Sequence, residues 1–149
     1  MFGLFRRILE AVTPQQQKRQ EAAKTTNDQG IRDAARRIEK IKAICDLGKM
    51  HARAMRDSSL EPDLLASEQR NYEMYKHDAI LSAGRLTDKT LRDSSLRLVI
   101  NLCVYGGDDS EAKHLLSSVE GDSIKREILE EHPRLALHAL ITRRPPERR

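Results

Sequence analysis

The pattern of apolar positions changes three times along the chain. In residues 2–12, Phe2, Leu4, Phe5, Ile8, Leu9 and Val12 fall within an arc of about 160° when placed at 100° per residue. Arg6, Arg7 and Glu10 take the opposite side. This is the signature of an amphipathic helix. Residues 13–30 then contain nothing apolar larger than alanine. Without a face to bury, they read as a polar linker, helical in part over Gln15–Lys24 and closed by Gly30.

From Ile31 the pattern becomes regular. Ile31, Ala34, Ile38, Ile41, Cys45, Gly48, Ala52 and Met55 recur at spacings of three and four. That seam predicts one long helix over about 31–57, with Asn27 or Asp28 as its cap. Ser58, Ser59 and Pro62 mark a turn, and a second helix is predicted over about 63–83 on Leu65, Tyr72, Tyr75, Ala79 and either Leu86 or Ala83. Thr87 or Asp88 can cap a third, reaching about Tyr105. Its end, residues 96–105, is apolar nearly all round. The segment is therefore expected to be central, either as a buried helix or as a buried strand. Gly106-Gly107 stops it in both cases. Asp108 and Glu111 have capping-box spacing ahead of a short helix to Val119. Another helix is expected over 123–131, and Pro133 opens a last turn or two through Ile141. The expected fold is all-α: antiparallel helical hairpins, as a bundle or a short α-solenoid, with a detached N-terminal amphipathic helix. The domains expected are the helix 1–12, the linker 13–30, the helical body 31–142 and a basic tail 143–149.

Two internal echoes bear on architecture. At an offset of 33, Ala79, Ala83, Leu86, Leu91 and Leu96 fall on Ala112, Leu116, Val119, Ile124 and Leu129. At an offset of 36, Arg56-Asp-Ser-Ser-Leu60 recurs as Arg92-Asp-Ser-Ser-Leu96. Within residues 88–119, the stretch Leu102–Leu116 resembles the helix–turn–helix of a tetratricopeptide-type repeat, with Gly107, Asp108, Ala112 and Leu116 at the matching places. Ile100 stands where that family carries a small residue. The resemblance implies stacked hairpins whose concave surface grips a peptide or helix.

Composition narrows the chemistry. Aromatics make up 3% of the chain and tryptophan is absent, so small aliphatics must fill the core and a β-sandwich is disfavoured. The two cysteines, Cys45 and Cys103, sit in apolar surroundings 58 positions apart. They read as buried free thiols of a reducing compartment. No stretch approaches the ~20 apolar residues of a membrane span. The N-terminal apolar run, broken by Arg6 and Arg7, does not form a secretory signal. The expected location is the cytoplasm, with peripheral membrane contact open to the N-terminal helix.

The net charge of +4 is unevenly spread. Residues 31–57 hold eight Lys/Arg against four Asp/Glu, and the last seven residues hold four Arg against one Glu. Arg32, Arg36, Arg37, Lys40, Lys42, Lys49, Arg53 and Arg56 form a candidate basic face. The five histidines are scattered, and Glu111-Ala-Lys-His114 is a single copy of a spacing that di-iron bundles use in pairs. Neither a phosphate-binding glycine loop nor a nucleophile elbow is present. No catalytic residue, metal or cofactor is therefore expected. The function expected is a non-catalytic protein-interaction module, adaptor-like, chaperone-like or regulatory. Its partner would be another protein or a second copy. The amphipathic set Phe2, Leu4, Phe5, Ile8, Leu9 and Val12 would dock on that partner or on a membrane. Burying those six side chains yields on the order of 9–18 kcal/mol gross. Ordering costs of about 1–2 kcal/mol per residue oppose it, so the anchor is reversible. The alternative is a basic nucleic-acid-binding helical protein, for which the cations would neutralise phosphates.

Overall fold

The computed structural model describes residues 14–136. Five helices follow in order: α1 (Pro14–Ala54), α2 (Pro62–Gly84), α3 (Lys89–Gly106), α4 (Asp109–Ser118) and α5 (Asp122–Glu131). A further helical turn opens at 134–136, and there is no strand among the described residues. The fold is all-α. Leu96–Tyr105 is helical, which decides between the two readings of that run. The amphipathic set from Phe2 to Val12 and the tail 143–149 lie outside the described residues.

The chain divides into two compact units at Arg36–Arg37. The described part of the first is the beginning of α1. Here the polar stretch read as a linker is helical from Pro14 onward, and Asn27, Asp28 and Gly30 are helix interior rather than a cap and a stop. Gln, Lys, Arg, Glu and Ala carry intrinsic helix preference that needs no buried face. Ile31, expected to begin the core seam, is 60% exposed.

In the second unit the seam becomes a core. Ile41, Cys45, Gly48 and Ala52 are buried and Ile38 is half-buried, as is Ala34 in the first unit. Gly48 marks a close approach: a Cβ there would stand 2.9 and 3.0 Å from the two terminal methyls of Leu102. Helix α3 is the hub, packing on α2, α4 and α5. Its residues Val99, Ile100, Leu102 and Cys103 are fully buried.

The connections follow their local chemistry. Pro62 opens α2 at its first turn. The Asp88 carboxylate accepts the Leu91 N–H and caps α3. At the other end Gly107 has φ 84°, the left-handed conformation that favours glycine. There the Asp108 N–H donates to the Cys103 carbonyl and the Gly107 N–H to that of Val104, at 2.8 and 3.2 Å. This is a Schellman ending. Asp108 then caps α4, accepting the Glu111 N–H at 3.2 Å.

The two sequence echoes fare differently. At the offset of 33, α3 begins at Lys89 and α5 at Asp122, while Leu86 and Val119 are both buried in the preceding connections. The offset is a shared register of two helix–connection–helix segments. The offset of 36 has no structural counterpart. Arg56–Leu60 is a turn in which Asp57 accepts the N–H and hydroxyl of Ser59. Arg92–Leu96 lies inside α3, where buried Asp93 accepts the Glu120 and Gly121 N–H groups at 3.1 and 2.7 Å. One pentapeptide serves as a turn in one place and as a clamp on the α4–α5 connection in the other.

Cys45 and Cys103 are buried free thiols. Burial pushes them from an ordinary 9.0 to about 11 and about 12 respectively. Their folded pKa values are raised, so the associated stability is complete below pH 9.0 and is lost as pH rises toward the folded values. Each thiol removes about 1.4 kcal/mol per pH unit across its window. The melting temperature is therefore expected to fall steadily above pH 9. The double variant Cys45→Ala, Cys103→Ala should flatten that decline, and an unchanged slope would contradict it.

Candidate functional site

The cations of α1 divide by position. Arg32 and Arg36 are exposed in the first unit. In the second, rotation at 100° per residue puts Lys42, Lys49 and Arg53 within about 40° of one another. Arg37 and Lys40 lie on the other flank. Leu47 and Met50 stand between these two sets, 40% and 66% exposed. These apolar side chains are off the core seam by more than about 100°. They have no part in holding the helix to the body.

The end of this helix forms an open groove. Met50, Arg53, Ala54, Arg56, Asp57 and Tyr105 line a cleft of about 700 Å³. Tyr105 is supplied by the last turn of α3. The Arg56 guanidinium lies 4.4 Å from the centre of the Tyr105 ring and donates to the Tyr105 carbonyl oxygen. Both interactions fix that arginine as a wall. Asp57 is committed to Ser59, and the hydroxyl and N–H donated by Ser59 hold its carboxyl below the usual range. Among the described residues, the ion pairs of α1 are Lys49–Asp46 at 3.9 Å and His51–Glu68 at 2.5 Å. Arg53 lines the groove and takes part in none of the ion pairs among the described residues. Sulfur, aromatic ring and guanidinium are the groups that protein-binding surfaces concentrate at their anchors.

Two polar clusters hold this site in place. His51 Nδ1 donates to the Glu68 carboxylate across α1 and α2, and the ring stacks on Tyr75 with centres 5.4 Å apart. At the C-terminal end of α3, Lys76 of α2 is almost fully buried and reaches Asp108 at 2.6 Å and Glu73 at 2.7 Å. Burial opposes the charge on Lys76, yet its bonds to Asp108 and Glu73 raise its pKa above the ordinary value. Burial likewise opposes ionisation of Asp108, but Lys76 and the Glu111 N–H hold its carboxyl below the usual range. The pair ties α2 to the turn that follows Tyr105.

Sequence reading anticipated Arg53 and Arg56 as surface cations but did not join them to Met50 or Tyr105. The available signal was that Leu47 and Met50 interrupt the polar side of an otherwise well-segregated helix. Tyr105 carried no such signal, because it closes an apolar run. Glu111 and His114, the isolated Glu-x-x-His, are half-buried and exposed respectively. No described helix is long and apolar enough to cross a membrane. Comparison of the chain with family models, with curated proteins and with solved structures gave no match.

Proposed function

We propose that this chain is a non-catalytic helical interaction module that takes an acidic, apolar-anchored protein segment into the groove at the end of α1. The observation that supports the reading most is Arg53, outside the ion pairs among the described residues, lining one groove with an exposed Met50 and Tyr105. An apolar side chain from the partner would cover Met50 and Ala54, and a carboxylate would meet Arg53. The tetratricopeptide-like turn at Gly107–Asp108 fits the same reading, since it places Tyr105 at a helix end. Phe2, Leu4, Phe5, Ile8, Leu9 and Val12 are then the segment that localises or oligomerises the module.

The test is fluorescence anisotropy with two synthetic amphipathic helical peptides, one Leu/Glu and one Leu/Lys. The Leu/Glu peptide is expected to bind, and Met50→Ser and Arg53→Glu should each weaken it about tenfold, roughly 1.4 kcal/mol. Equal binding of the Leu/Lys peptide, or indifference to both variants, refutes the proposal. The exposed Lys42 and Arg53 on one flank keep a nucleic-acid reading distinct. Duplex DNA binding that falls steeply with salt and survives Met50→Ser would replace the protein-binding reading.

A further inference from the structure

A second cleft lies where α1 meets the end of α2, away from Met50 and Tyr105. It encloses about 310 Å³ and is lined by Arg37, Lys40, Ile41, Ser82, Arg85 and Leu86. Ile41 and Leu86 are 1% and 5% exposed and form an apolar floor. The three cationic residues are exposed, and Ser82 is half-buried. None of the ion pairs among the described residues involves Arg37, Lys40 or Arg85. Three like charges around one small cleft repel one another, and an anion between them reverses the sign of that interaction.

From this juxtaposition of three unpaired cations, a hydroxyl and a buried apolar floor, we propose that the cleft binds an organic phosphate monoester. A carboxylate would answer one of the charges, whereas a phosphate near pH 7 carries close to two and offers three acceptor oxygens. Arg37 and Arg85 can each present two parallel N–H donors to it, Lys40 adds a point charge, and Ser82 can donate its hydroxyl. The volume is at the small end of ligand sites, roughly 300–1,000 Å³. It leaves room for an uncharged part of the ligand against Ile41 and Leu86. The phosphate could belong to a free metabolite or to a lipid headgroup.

Phenyl phosphate, inorganic phosphate and benzoate are titrated into the full-length protein and followed by amide chemical shifts. Vesicles of phosphatidylcholine with and without phosphatidic acid form a separate arm. Phenyl phosphate is expected to shift Ser82, Arg85 and Leu86 saturably, with inorganic phosphate about tenfold weaker and benzoate weaker still. Arg37→Ala and Lys40→Ala should each lower the affinity several-fold without changing the melting temperature, since neither forms an ion pair among the described residues. Added salt should weaken binding by screening. Saturable phenyl phosphate binding assigns a soluble ligand, and binding confined to phosphatidic acid vesicles, and lost in Arg37→Ala, assigns the headgroup. Benzoate binding as well as phenyl phosphate, shifts that persist in both variants, or no saturable response in either arm would overturn the proposal.

Discussion

Replacing Asp108 by alanine is expected to lower unfolding free energy by about 2–3 kcal/mol, measured by urea titration at neutral pH. Two losses combine. The alanine cannot accept the Glu111 N–H, and removal of an N-cap costs about 1 kcal/mol. It also withdraws the nearer carboxylate from Lys76, which is 8% exposed. Breaking a buried pair costs roughly 3–5 kcal/mol when the remaining charge is stranded. Here the cost is smaller, because Glu73 remains 2.7 Å away and Asp108 is itself part-exposed. Asp108→Asn should lose only about 1 kcal/mol, since its amide oxygen keeps the cap. The sign with pH follows from the lowered carboxyl of Asp108. Its stabilisation is present above the ordinary value of 3.8 and is lost as pH falls through the folded value. Wild type and Asp108→Asn should therefore converge in acid. A gap that stays constant to low pH would show that Lys76 does not depend on this partner.

Leu102→Ala is expected to cost more, about 3–5 kcal/mol. The side chain is completely buried in the hub helix, and its removal leaves a cavity along with the lost transfer energy. The neighbour that would expose this most clearly is Gly48, whose added Cβ would press on both Leu102 methyls. In the wild-type background, Gly48→Ala sets a helix-propensity gain of about 1 kcal/mol against that overlap. In the Leu102→Ala background the overlap is gone and the new methyl fills part of the space. The second substitution should then recover about 1–2 kcal/mol. Thermal unfolding of the four proteins of this cycle measures the coupling directly. Additive effects would mean that α1 and α3 do not meet at this point.

The ends of elements were the most legible part of the chain, because each depends on a few adjacent residues. Asp88 capped α3, Gly107 took the left-handed ending, and Asp108 began α4, all as side-chain chemistry dictates. The hub position of α3 was also legible, since a run that is apolar on every side has to be surrounded. The start of α1 was legible only in part, as the helical stretch expected over Gln15–Lys24. The sequence of residues 14–30 carries no apolar stripe, and a reading based on apolar spacing gives little weight to helix propensity. The pentapeptide Arg-Asp-Ser-Ser-Leu failed for a related reason. Its conformation is set by what flanks it, a helix end and Pro62 in one copy and the interior of α3 in the other. The groove was half legible. Arg53 and Arg56 follow from charge, but Tyr105 comes to them from 49 positions beyond Arg56, through packing that no local pattern encodes.

The interaction reading is tested most directly by mapping amide chemical shifts while the Leu/Glu amphipathic peptide is added to the full chain. The expected result is a saturable set of shifts centred on Met50, Arg53, Ala54 and Tyr105, absent in the Met50→Ser variant. Shifts that leave those four residues unmoved, or that persist unchanged in Met50→Ser, would contradict it.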